Sequence, residues 1–307
     1  MVEKRNNAIR PSGGDHVFSV AVYVLMGIFL LIMFYPLYFT LIASFSDINE
    51  VGLGNVYLWP KGFTLEAYKN VFLNNQVWVG YANTIVYTIF GTLYGLVLLL
   101  PLAYALSKKR LFARRTVTWF FLFTMFFSGG IVPSYILMQK MNLINNRLVM
   151  ILGGVSVYNM VVVRTFFSSS IPDALFESAK IDGASEFICF FRIALPLSGA
   201  IIAVMALYIS VSIWNAYFSA LIYLTRNELH PLQLVLRNVL ILNQSLATDP
   251  EFFMLSADEQ AQAVLRARMA ESMKYSIIYI ASAPLLIAYP FIQRFFVKGV
   301  MIGSLKG

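Results

Sequence analysis

The sequence is poor in the residues that metal chemistry and covalent cross-linking need. Cys189 is the single cysteine among 307 residues, which excludes an internal disulfide framework and a cysteine-based metal cluster. The two histidines, His16 and His230, are far apart and argue against a histidine metal site. No G-x-x-x-x-G-K-S/T run occurs, so the chain carries no P-loop ATPase of its own. Charge is scarce as well: 12% of residues are charged, against about a quarter in an ordinary soluble domain. Internal repeats and low-complexity tracts are missing, and so is a small-residue cleavage site after the first apolar run, which is therefore expected to be retained.

Apolar surface is what the chain has in excess. Hydrophobic residues make up 59% of it and the mean hydropathy is +0.72, values that point to a polytopic membrane protein and away from disorder, nucleic-acid binding and most soluble enzymes. Apolar runs long enough to span a bilayer recur six times: 17 to about 43, 79 to about 106, 116 to about 138, 148 to about 167, 200 to about 224 and 275 to about 296. The expected organisation is an all-α, six-span protein: a cytoplasmic segment 1–16, a membrane domain 17–296 and a cytoplasmic tail 297–307. Two outer loops are expected, at about 44–78 and 225–274. The net charge of +8 reads as a topology signal. Lys108, Lys109, Arg110, Arg114 and Arg115 crowd the short connection between spans two and three and place it, with both termini, in the cytoplasm. In the long outer loop, Ser256 and Glu259 form a capping-box pattern, predicting a surface helix that runs into span six. That helix is either a structural lead-in or a dock for an extracellular partner. The triplet Asn243-Gln244-Ser245 matches an N-glycosylation acceptor and reads as coincidence. Pro36, Pro101, Pro133, Pro284 and Pro290 fall inside spans, where each can kink a helix.

The connection 168–198 between spans four and five is the most informative stretch. Pro172 suits the start of a short helix reaching Ile181, with Asp173, Glu177 and Lys180 on one face. Asp182-Gly183 then reads as a turn whose glycine takes a left-handed conformation without strain, and a second amphipathic stretch, 185–192, leads to Leu195-Pro196. A braced helix with one charged face at the inner surface suits the transmission of a push from a soluble partner; the bland alternative is an ordinary interfacial element.

Glu177-Ser178-Ala179, three residues, Gly183, nine residues, Ile193, one residue and Leu195-Pro196 resemble the EAA loop of bacterial binding-protein-dependent ABC importers, with Ser178 in place of the middle alanine. Asn83-Thr84, Ala103-Tyr104-Ala105-Leu106-Ser107, Phe127-Ser128-Gly129-Gly130, Trp214-Asn215 and the C-terminal run from Tyr289 to Gly307 extend the likeness over nearly the whole chain. They are similar to the second permease of carbohydrate importers of the multiple-sugar and polysaccharide class, the maltose-type branch. The resemblance implies a type I importer fold. It also implies that Glu177, Ser178, Ala179, Asp182, Gly183, Leu195 and Pro196 couple to a cytoplasmic ATPase, and that Lys298, Gly299, Gly303 and Gly307 approach the ATPase pair. The implied partners are a second homologous permease, two ATPase subunits that bind the ATP and magnesium, an extracellular substrate-binding protein and membrane lipid. This chain itself would hold no cofactor and make no covalent bond.

Amphipathic residues inside the spans are candidates for a sugar path: Asn83, Tyr87, Tyr94, Tyr135, Asn159, Trp214, Asn215 and Tyr217. Aromatic faces stack on pyranose C–H faces and amides bond hydroxyls; helix packing is the competing reading for each. Within the spans Arg164 carries an isolated charge near an inner end, suited to snorkelling. The absence of carboxylates and histidines from the spans argues against an ion-coupled carrier, and no carboxylate cluster supports an enzyme acting on lipid-linked sugars. The same machinery carrying a peptide or polyamine is the other alternative.

Overall fold

A computed structural model describes residues 13–245 and 256–304; the segments 1–12, 246–255 and 305–307 lie outside the described residues. The described residues contain no strand. In hydrocarbon a spanning segment must satisfy its backbone internally, and helices do so.

Helix α1 (Gly13–Ser44) carries Pro36 and stays exposed along residues 14–37. Its C-terminal end packs on the last helix, where Thr40 and Tyr279 share a hydroxyl hydrogen bond of 3.0 Å and Phe39 meets Tyr275 edge-on, and on the segment that follows, where Ser44 and Tyr68 share one of 2.9 Å. Short helices α2 (Ile48–Gly52) and α3 (Glu66–Leu73) fill the connection between α1 and the next long helix. The long α4 (Asn75–Ser107) opens on an Asn74 cap and forms the centre of the molecule. The third apolar run is no single rod. It is α5 (Arg114–Phe126) and α6 (Ile131–Lys140), which meet at 114°, because Gly130 takes φ +85 and breaks the helix between them. The fourth run is likewise divided into α7 (Leu148–Ile151) and α8 (Val157–Ser169), separated by Leu152-Gly153-Gly154-Val155-Ser156.

The inner connection holds α9 (Asp173–Ile181) and α10 (Glu186–Ile188), a π-helical turn Cys189–Ala194, and α11 (Leu195–Leu197). An 81° bend at Ser198 then opens α12 (Gly199–Trp214), which is followed by α13 (Tyr217–Tyr223). The amphipathic α14 (Leu232–Ser245) lies against α4 and α15 (Ala257–Ser304). The expected lead-in and sixth run are one continuous α15 of 48 residues, about 72 Å long. Its predicted start is observed: Ser256 N donates to Glu259 Oε2 at 3.0 Å, and Glu259 N donates to Ser256 Oγ at 3.4 Å. By length and composition α1 and α4 qualify as crossings, and the bent pairs α5–α6 and α10–α12 qualify together.

Three apolar clusters hold this frame. An inner one joins α4, α8, the inner connection and α12; an outer one joins α3, the start of α4, α14 and α15; a third centres on Tyr87, Met150 and Leu234. Gly80 lets α14 approach α4 closely, since a Cβ there would sit 3.2 Å from the Leu232 backbone.

Candidate functional site

Helix α9 buries one side chain. Phe176 is buried at its centre and packs into the inner cluster, while Glu177, Ser178, Ile181, Asp182 and Gly183 stay exposed and Ala179 is half-buried. Pro172 caps the helix from outside, one position earlier than the sequence suggested. Its end is a Schellman turn: Gly183 N bonds Lys180 O at 3.1 Å and Ala184 N bonds Ala179 O at 2.8 Å, with Gly183 at φ +80. Ala179 and Ala184 both pack on the inner cluster, supplying the apolar contact that accompanies such turns. The charged face therefore points outward on a short rod fixed at both ends. Leu195 is half-buried against the same cluster and Pro196 is exposed. Pro196 has no N–H to give the preceding turn, and the π-helical turn sits just before it.

Sequence reasoning missed what fixes α9 to α4. The Lys108 ammonium lies 3.1 Å from the Phe176 ring centroid and 4.5 Å from that of Tyr104. Burial lowers its pKa, against the raising influence of Glu186. Glu186 is paired with Lys180 and accepts from Tyr104 OH at 3.2 Å. The Lys180 hydrogen bond holds its carboxyl below the ordinary range, against the opposing effect of burial. Lys109 reaches Asp173 at 3.8 Å across exposed surface. In the sequence Lys108 was only one of five basic residues; the signal was its place as the first residue after α4.

The candidate path residues do not form one lining. Asn83 Nδ2 donates to Glu228 O at 2.7 Å and to His230 O at 3.2 Å; Tyr87 OH donates to Leu229 O at 2.9 Å. Together with Thr84 Oγ1, which accepts from Leu232 N, they satisfy the irregular backbone before α14. Trp214 is buried, donates its indole N–H to Ala281 O at 3.2 Å and meets Tyr81 edge-on. Tyr135 stacks on Tyr223, while Asn215 and Tyr217 lie exposed at the break between α12 and α13. Asn159 and Tyr94 do meet, in a cavity of about 360 Å³ between α4, the Gly153-Gly154 break and α12. Ser156, Tyr208 and Ser212 also line it, and no charged side chain does. Lys298, Gly299 and Gly303 fall on the last turns of α15, whereas Gly307 lies outside the described residues. No group of three or more histidine, cysteine or acidic side chains suited to a metal occurs among the described residues.

A helical chain with apolar helices long enough to cross a membrane, an exposed short rod in one connection and an uncharged cavity between its helices has the architecture of a transporter permease. No family model matches the chain. It is 35% identical over 292 residues to Protein LplC of Bacillus subtilis (strain 168), covering 95% of each chain. It is 32% identical over 294 residues to the polygalacturonan/rhamnogalacturonan transport system permease protein YtcP of the same organism, covering 95% of this chain and 99% of that one. Among solved structures it matches a chain of a bacterial ABC transporter involved in the import of the acidic polysaccharide alginate. The TM-score is 0.82 at 30% identity, covering 94% of this chain and 99% of that one. The chain belongs to the permease subunits of bacterial carbohydrate ABC importers and is not an enzyme.

Proposed function

We propose that this chain forms half of the membrane path for an oligosaccharide in an ATP-driven importer working by alternating access. It pairs with a second, homologous permease above two cytoplasmic ATPase subunits, and an extracellular binding protein delivers the sugar. The ATPase subunits bind the ATP and magnesium. Both termini lie in the cytoplasm of a cell whose plasma membrane holds the complex. Glu177, Ser178, Ala179, Asp182 and Gly183 dock into the ATPase, and closure of the ATPase pair moves α9. Phe176 and Lys108 carry that motion into α4, while the turn 189–194 carries it into α12. Those two helices wall the cavity, whose tyrosine rings, amide and hydroxyls suit an uncharged carbohydrate surface.

The observation that carries this reading is an exposed α9 whose single buried side chain is its anchor. The test is Glu177→Lys in the assembled importer. The expected outcome is normal insertion with loss of sugar-stimulated ATP hydrolysis or of ATPase attachment. Unchanged stimulated turnover overturns the docking role.

A further inference from the structure

A second cavity, about 280 Å³, opens where α5 begins beside the inner end of α8. It is lined by Arg114, Arg115, Thr118, Trp119 and Arg164, with no acidic residue. Two of the guanidinium groups are drawn together by one atom: Arg114 Nε donates to Leu106 O at 2.9 Å and Arg164 Nε donates to the same oxygen at 3.1 Å. That carbonyl belongs to the last turn of α4, which lacks intrahelical partners and carries the negative end of the helix dipole. The anchorage uses only the Nε donors, and a guanidinium has five N–H groups in a planar fork. The ion pairs found among the described residues lie elsewhere, at Lys109, Lys180 and Arg226. Three cations thus converge on a space to which the described residues supply no counter-charge.

The surroundings bear on which anion would suit this lining. No residue of α5 is buried, so the helix beside the cavity is open to whatever surrounds the chain. Trp119 is 62% exposed on the same wall, and tryptophan favours the headgroup level of a bilayer. Basic pockets between helices on the cytoplasmic side suit anionic headgroups, and guanidinium matches a phosphate bidentately.

We propose that Arg114, Arg115 and Arg164 hold the phosphate of an anionic phospholipid of the inner leaflet, with Trp119 against its glycerol region. This rests on the cytoplasmic placement of this end of α4 given above. The lipid readout is independent of ATP hydrolysis, so the two readings fail separately.

The test uses the assembled importer in nanodiscs of phosphatidylcholine with a minority of phosphatidylglycerol, counting retained lipid by native mass spectrometry. Arg115→Gln touches an exposed side chain and is expected to fold normally. It should weaken phosphatidylglycerol retention about fivefold, and Arg115→Gln with Arg164→Gln by about twenty-fold or more. Arg110→Gln removes a charge from the same loop outside the cavity and should change little. Equal loss in Arg110→Gln reduces the effect to general surface charge and overturns the proposal. Retention unchanged in the double variant overturns it too, as does loss of the second permease in place of lipid. Displacement of the lipid by millimolar inorganic phosphate would assign the cavity to the free anion and overturn the lipid assignment.

Discussion

Replacing Gly183 with valine isolates the turn that ends α9. The backbone there holds φ +80, a region where an L residue costs roughly 1–2 kcal/mol and a β-branched one is an outlier. A Cβ at this position would meet nothing within 4 Å, so packing neither adds to the cost nor relieves it. The penalty falls on the turn alone: it strains in place or opens, releasing the bonds from Gly183 N to Lys180 O and from Ala184 N to Ala179 O. Opening by that amount lowers the population of the native turn about 5–30-fold relative to the opened form. If docking needs the native turn, apparent affinity for the ATPase falls in proportion once the opened form dominates. The assay is sugar-stimulated ATP hydrolysis by the purified importer against ATPase concentration, with chain stability followed by thermal unfolding. Gly183→Asn is the control, because asparagine tolerates the left-handed region and should stay near the original activity. Valine indistinguishable from glycine, or asparagine as damaging as valine, would refute the argument.

The Lys180–Glu186 pair predicts a pH window. The Glu186 carboxyl is lowered in the folded chain, so its contribution is complete above the ordinary glutamate value of about 4.3 and is lost as pH falls through the lower folded value. The unfolding-temperature gap between the original chain and Glu186→Gln should be steady from about pH 7 to pH 5 and shrink below about pH 4; a gap that ignores acid counts against the pairing. The cavity predicts a split between two polar residues. Asn159→Leu should raise the KM for sugar uptake with little change in stability. Trp214→Phe should cost about 1 kcal/mol of stability through the lost bond to Ala281 and leave KM unchanged, as uptake assays beside unfolding curves will show.

Much of this was legible in the sequence. The first two apolar runs became α1 and α4 because each is long, uncharged and free of glycine pairs at its centre. The spacing from Glu177 to Pro196 marked the inner connection, and the Ser256–Glu259 box marked the start of α15. The third run holds two helices that together have the length and apolarity of a crossing, and the break at Gly130 does not show in hydropathy, which averages over a turn that one left-handed glycine makes. Trp214, Asn83 and Tyr87 looked like a path because amphipathic residues in a span are ambiguous. What the sequence could not supply is the partner each finds in distant chain, Ala281 for the indole and the carbonyls of Glu228, Leu229 and His230 for the others. The Lys108 contact was invisible for the same reason, since its aromatic partner Phe176 lies 68 positions away in the sequence.

Cys189, buried with 0% exposure, opens the π-helical turn between α10 and α11. No other thiol competes with it in this chain. A maleimide reagent can therefore reach sulfur here only while that joint is sprung, and its alkylation rate counts those openings. In the purified protein that one thiol thus reports openings of the π-helical turn without an added label site.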